Sequence, residues 1–159
     1  MAVTFDTMKC AVRKNWRSKA LLTAICLVCQ AVVGISASDH PSPLLAHFLY
    51  MFEHVNVWHL ACNMLVLWSV NGRMEMCKAI LIAVVASYIP TWYDKPTLGL
   101  SGFLFALFGI MWGRVGCFKD CMKKGMPVIA LTIALPGVNG LIHLYCYVIG
   151  YIVGKKSML

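Results

Sequence analysis

Gly99-Leu100-Ser101-Gly102-Phe103-Leu104-Phe105-Ala106-Leu107-Phe108-Gly109-Ile110-Met111-Trp112-Gly113-Arg114-Val115-Gly116 is the stretch on which the fold turns. It carries no charge before Arg114, and small residues recur at Gly102, Ala106, Gly109 and Gly113. At helical spacing these lie on one stripe. Such a stripe lets two helices pack backbone to backbone in lipid. The stretch reads as a membrane helix that opens on a serine, and by itself the stripe implies no more than packing.

The rest of the chain suits a bilayer as solvent. Of its 159 residues, 60% are hydrophobic and 13% charged, with a mean hydropathy of +0.76. Soluble domains run at roughly 45–50% apolar and about 25% charged. A spanning helix needs about 20 apolar residues, within a range of about 17–25. Six candidate spans follow: Ala20–Ser38, His54–Val70, Lys78–Tyr93, Ser101–Gly116, Met126–Pro136 and Gly140–Gly154, the fifth being short. The expected fold is all-α, a polytopic six-helix bundle forming one domain over 1–159. A short basic segment, 1–19, precedes a core at about 20–154. The first span admits a second reading as a signal peptide, with a basic start, an apolar core at Leu21–Val33 and small residues at Ser36-Ala37-Ser38. Five further apolar segments favour a retained helix. Four of the eight cysteines, Cys26, Cys29, Cys62 and Cys146, lie in apolar runs. There cysteine behaves as a small hydrophobe rather than as a disulfide partner.

Lysine and arginine set the orientation. With a cytoplasmic N-terminus and six spans, every one of the 14 lysines and arginines except Lys95 falls on the cytoplasmic side. The net charge of +8 is then a topology signal with attraction to anionic lipid, and no nucleic-acid partner is needed. The expected location is a cell membrane, multi-pass. The small size suits a bacterial inner membrane.

Polar side chains inside spans are costly and default to function. In this topology the second, fourth and sixth spans enter from the outer face. His59 lies about one turn into the second, with Asn63 at i+4 on the same side. Ser101 opens the fourth, and His143 lies about one turn into the sixth. Cys146, Gly150 and Gly154 form a second small stripe beneath His143, so the fourth and sixth helices can press together. Ser101 then meets His143. A serine hydroxyl needs a base to become a nucleophile, and imidazole titrates near neutral pH. Asn63, His59 and the unpaired backbone N–H groups of Leu100 and Ser101 are available to an oxyanion. Gly99 and Gly102 permit a tight entry turn and close approach. No intramembrane carboxylate completes a triad; Asp39 and Asp94 fall in outer loops.

These residues resemble the rhomboid family of intramembrane serine proteases. His54-x4-His59-x3-Asn63 is similar to the family's second-span pattern, and Gly72-Arg73-Met74-Glu75 to its closing Gly-x-x-Glu. Gly99-Leu100-Ser101-Gly102 is similar to the Gly-x-Ser-Gly nucleophile motif. His143 with Gly150 and Gly154 resembles the last-helix pattern. The resemblance covers about His54 to Gly154. It implies a water-filled cavity open to the outer face, Ser101 as nucleophile and His143 as base. It implies oxyanion donors from His59, Asn63 and Ser101, and transmembrane protein substrates. No metal or cofactor is implied. Cys146 stands where the family usually has glycine, and Phe105 where many members place tyrosine against the histidine. The first outer loop, about Asp39–Phe52, is short for the family and has no tryptophan–arginine pair.

Other readings remain. A catalytically silent rhomboid-like scaffold would bind membrane clients without cutting them. His59 and His143 could ligate haem. His40, His47, His54 and His59 could hold a metal at the outer face. A small transporter is disfavoured by the lack of an inverted repeat. Substrate identity and oligomeric state are not legible.

Overall fold

The computed structural model describes residues 5–32, 43–70, 75–89, 97–115 and 118–157, with side chains in the first helix from residue 15 onward. Gly72, Arg73, Met74, Lys95, His40, Asp39, Asp94 and the Ser36-Ala37-Ser38 stretch lie outside the described residues. All regular structure among the described residues is helical: α1 Phe5–Val32, α2 Pro43–Leu49, α3 Val57–Ser69, α4 Met76–Ser87, α5 Ser101–Val115, α6 Phe118–Ala134 and α7 Gly140–Lys156. None of these helices is both long and apolar enough to cross a membrane alone.

Two helices start well ahead of the expected spans. α1 begins well before Ala20 and α6 before Met126, because charge ends a hydropathy window but not a helix. Asp120 even sits in the first turn of α6, where a carboxylate complements the helix dipole. The short α2 lies within the segment expected as the first outer loop.

α5 and α7 form the centre. α4 packs on both, α6 leans on α7, α3 touches α5 and α1, and α2 rests on α4. A methyl group at Gly109 would collide with the Tyr147 carbonyl, at Gly113 with that of Tyr151, at Gly150 with that of Ala106 and at Gly154 with that of Ile110. Small residues on both helices therefore bring the two backbones into contact. Cys146 is fully buried and faces Gly102, so its thiol fits the crossing.

Polar side chains hold the flanking elements. Lys19 is buried, and its ammonium donates to the carbonyls of Val70, 2.5 Å, and Trp68, 3.2 Å. A cation there satisfies the end of α3 and complements its dipole. Arg114 pairs with Glu75 and ties the end of α5 to the start of α4. His47 Nδ1 lies 2.8 Å from Ser87 Oγ, and its ring stacks on Tyr88 at 3.9 Å. Burial holds the His47 imidazole below its ordinary pKa of 6.5.

Candidate active site

Ser101 opens α5 on a turn pinned by the segment between α2 and α3. Gly99 has φ +115, a conformation that side chains rarely adopt. A Cβ there would sit 2.6 Å from His59 Cε1. The Gly99 N–H donates to the Tyr50 carbonyl at 2.8 Å. The Leu100 N–H points at His54 Nε2, 3.4 Å away, while His54 Nδ1 lies 3.3 Å from the Phe52 carbonyl oxygen. That carbonyl can only accept, which places the ring proton on Nδ1 and leaves Nε2 to accept from Leu100. The Leu100 N–H, expected to be open to an oxyanion, is therefore taken by a side chain packed beneath the turn.

Across the turn, His143 Nε2 lies 2.8 Å from Ser101 Oγ. The Phe105 ring, one helical turn after Ser101, stacks on His143 at 4.5 Å and 19°. His143 is buried, and its Nδ1 has no hydrogen-bond partner among the described residues. Asn139, one turn before His143, donates its amide to Thr97 Oγ1 at 2.8 Å. This joins the head of α7 to the segment that leads into the serine.

The other two polar residues come from α3. Asn56 caps that helix by accepting from the His59 N–H at 2.8 Å. His59 meets His54 edge to face at 5.3 Å. Asn63, one turn further, is buried, and its amide nitrogen has no acceptor among the described residues. Both residues flank Gly99.

His59, Asn63, Ser101 and His143 line one cavity of 730 Å³. Its walls are mainly apolar, with Val66 from α3, Leu104 and Phe108 from α5, and Val128 from α6. Trp112 and Lys124 lie at the end remote from Ser101, with the Lys124 ammonium 4.7 Å above the Trp112 ring. Lys124 is the one charged residue among the described lining residues, and no carboxylate joins it there.

The structure thus brings together Ser101, His143, His59 and Asn63, with Gly99, Gly102, Phe105 and Gly150 in packing positions around them. The sequence marks His54 in the second-span pattern and as a possible metal ligand, but not as a partner of the Leu100 N–H, and nothing in it marks Tyr50, Thr97 or Asn139. No local pattern marks these contacts, because each bridges more than 40 residues of chain. The His54 and Tyr50 contacts also correct the reading of the short first loop. Residues Tyr50–His54 are buried and form the floor of the serine turn.

A histidine against a serine hydroxyl, with amide and imidazole donors opposite, in a cleft walled by apolar groups, can attack a carbonyl and hold the resulting oxyanion.

A model of the Rhomboid domain matches residues 41–155. Among curated relatives, the chain is 32% identical over 77 residues to "Rhomboid protease GlpG" of Salmonella choleraesuis (strain SC-B67), covering 43% of this chain and 28% of that protein. It is 29% identical over 102 residues to "Rhomboid protein 1, mitochondrial" of Saccharomyces cerevisiae (strain ATCC 204508 / S288c), covering 54% of this chain and 27% of that protein. The chain thus spans about a quarter of the length of these relatives.

Proposed function

The chain belongs to the rhomboid family, whose members are membrane proteins, and from that premise we propose that it is an intramembrane serine endopeptidase acting on transmembrane protein substrates. The observation that carries the proposal is the 2.8 Å approach of His143 Nε2 to Ser101 Oγ within the cavity.

The chemistry runs as follows. His143 Nε2 takes the Ser101 proton while Oγ attacks the scissile carbonyl. Phe105 holds the imidazole plane. The oxyanion is received by the Asn63 amide, the His59 ring and the Ser101 backbone N–H at the helix start. His143 returns its proton to the leaving amine. A water then hydrolyses the acyl-enzyme with His143 again as base. With a lone-pair acceptor needed at Nε2, the neutral ring carries its proton on Nδ1.

In this reading α1 and α3–α7 are six spans and α2 lies in the first outer loop. The N-terminus is cytoplasmic, and the site opens to the outer face of a cell membrane. The lipid-facing surface is supported by large exposed apolar side chains, among them Trp58, Leu65, Leu81, Leu131 and Ile152. α3–α7 contain 12 to 17 residues, which rise about 18–26 Å against a core of about 30 Å. Local thinning of the bilayer and snorkelling lysines accommodate such a mismatch.

The test is labelling of the purified chain by a fluorophosphonate, beside cleavage of a model transmembrane substrate. Labelling and cleavage are expected in the wild type and absent in Ser101→Ala; labelling is expected to be lost in His143→Ala. Absence of labelling in the wild type would favour a silent scaffold.

A further inference from the structure

We propose that the end of the cavity remote from Ser101 is a binding site for an anionic phospholipid, with its phosphate at Lys124 and an acyl chain lying along the cleft toward the serine. The proposal rests on the membrane-spanning part of the reading above, and not on the protease chemistry.

Four observations converge. Lys124 lines the cavity, and its only described partner is the Trp112 ring below it. The Arg114 guanidinium nearby on α5 is already paired with Glu75. Asp120 is one turn before Lys124 on α6, but the lysine reaches across to α5 instead of back along its own helix. A cationic head held over an aromatic face, beside an apolar trough and with no carboxylate to neutralise it, suits a ligand that is anionic at one end and aliphatic beyond. Basic pockets between spans on the cytoplasmic side are where acidic lipid head groups bind.

The dimensions agree. Ser101 and Trp112 are eleven residues apart on α5, about 16 Å along its axis. That is about half of the ~30 Å hydrocarbon core, the depth of one leaflet. Val66, Leu104, Phe108 and Val128 wall the space between. The volume of 730 Å³ lies within the roughly 300–1,000 Å³ of ordinary ligand sites. Val66 and Val128 are exposed, one on each side of the cleft, so an acyl chain can enter laterally from the bilayer. A tail lying there reaches the polar residues at Ser101. The lipid therefore competes with any substrate segment for the same cleft.

The test uses the full chain in nanodiscs of phosphatidylcholine with increasing phosphatidylglycerol, released into the mass spectrometer with bound lipid intact. Wild type is expected to retain phosphatidylglycerol over phosphatidylcholine. Lys124→Gln is expected to retain about fivefold less, and Lys124→Arg to retain it as wild type does. Inorganic phosphate should not displace the lipid, since it lacks the tail. In a cleavage assay, phosphatidylglycerol should raise the apparent KM of wild type and not of Lys124→Gln.

Equal retention by wild type and Lys124→Gln overturns the proposal, as does equal retention of the two lipids by wild type. So does a Lys124→Gln effect confined to substrates with an acidic residue in the lower half of their helix, which would assign Lys124 to substrate selection. Lipid retention by Ser101→Ala matching wild type is expected whether or not the chain is a protease. Failure of the two proposals is thus distinguishable.

Discussion

Asn63 is buried in the wall of the cavity that Ser101 also lines. Its amide nitrogen is enclosed and has no acceptor among the described residues, a cost that a folded chain ordinarily avoids. On the proposed mechanism, Asn63→Ala should remove that cost and an oxyanion donor together. The expected outcome is kcat lower by about 10²–10³-fold with unchanged or slightly higher thermal stability, read from cleavage kinetics and unfolding in the same detergent. His54 should act differently, as a positioning residue. His54→Ala should lower kcat by freeing the Leu100 N–H and the serine turn. His54→Gln, which keeps a side-chain acceptor and donor, should recover part of it with KM unchanged. Equal kcat in the two variants would reduce His54 to packing.

At the scale of the element, the site depends on how closely α5 and α7 cross. Gly150 meets the carbonyl of Ala106, so Gly150→Leu forces the helices apart and lifts His143 from Ser101. Overpacking of this kind costs about 1–3 kcal/mol, and fluorophosphonate labelling should fall more than stability does. α6 is held to α7 by the Tyr147 hydroxyl, which donates to the Cys121 carbonyl at 2.8 Å and receives the Cys121 thiol at 3.1 Å. Tyr147→Phe should cost about 0.5–1.5 kcal/mol and raise hydrogen exchange in α6 ahead of the other helices. α2 is clipped to α4 through His47 and Ser87. Because burial lowers the folded pKa of His47, the unfolded chain takes up its proton first as pH falls below about 6.5. Stability is lost over that interval and levels off below the folded pKa. Thermal unfolding between pH 7.5 and 5 should show a shallower acid loss in His47→Asn than in the wild type.

Across the whole molecule, the composition, the helical class and the order of motifs were legible from the chain, and Ser101, His59, Asn63 and His143 stand on helices that meet. Apolar content, small-residue stripes and helical spacing act locally and report directly on which faces of a helix pack. Helix ends were less legible, since α1 and α6 continue through charged residues that hydropathy counts against them. Tertiary structure alone decided what supports the serine. Tyr50 and His54 reach Gly99 and Leu100, Asn139 reaches Thr97, and Lys19 reaches the end of α3. Each is a hydrogen bond between residues far apart in the chain. Its existence depends on how the helices are laid side by side, which no short-range pattern encodes. The same holds for the cleft from Ser101 to Lys124, a space left between α3 and α6 rather than a property of either. The candidate pair, Ser101 and His143, is thus legible in the sequence. The turn that holds Ser101, the partner that occupies the Leu100 N–H and the place of Lys124 at the far end of the cleft came from the fold, because long-range contacts are set by packing geometry and not by residue spacing.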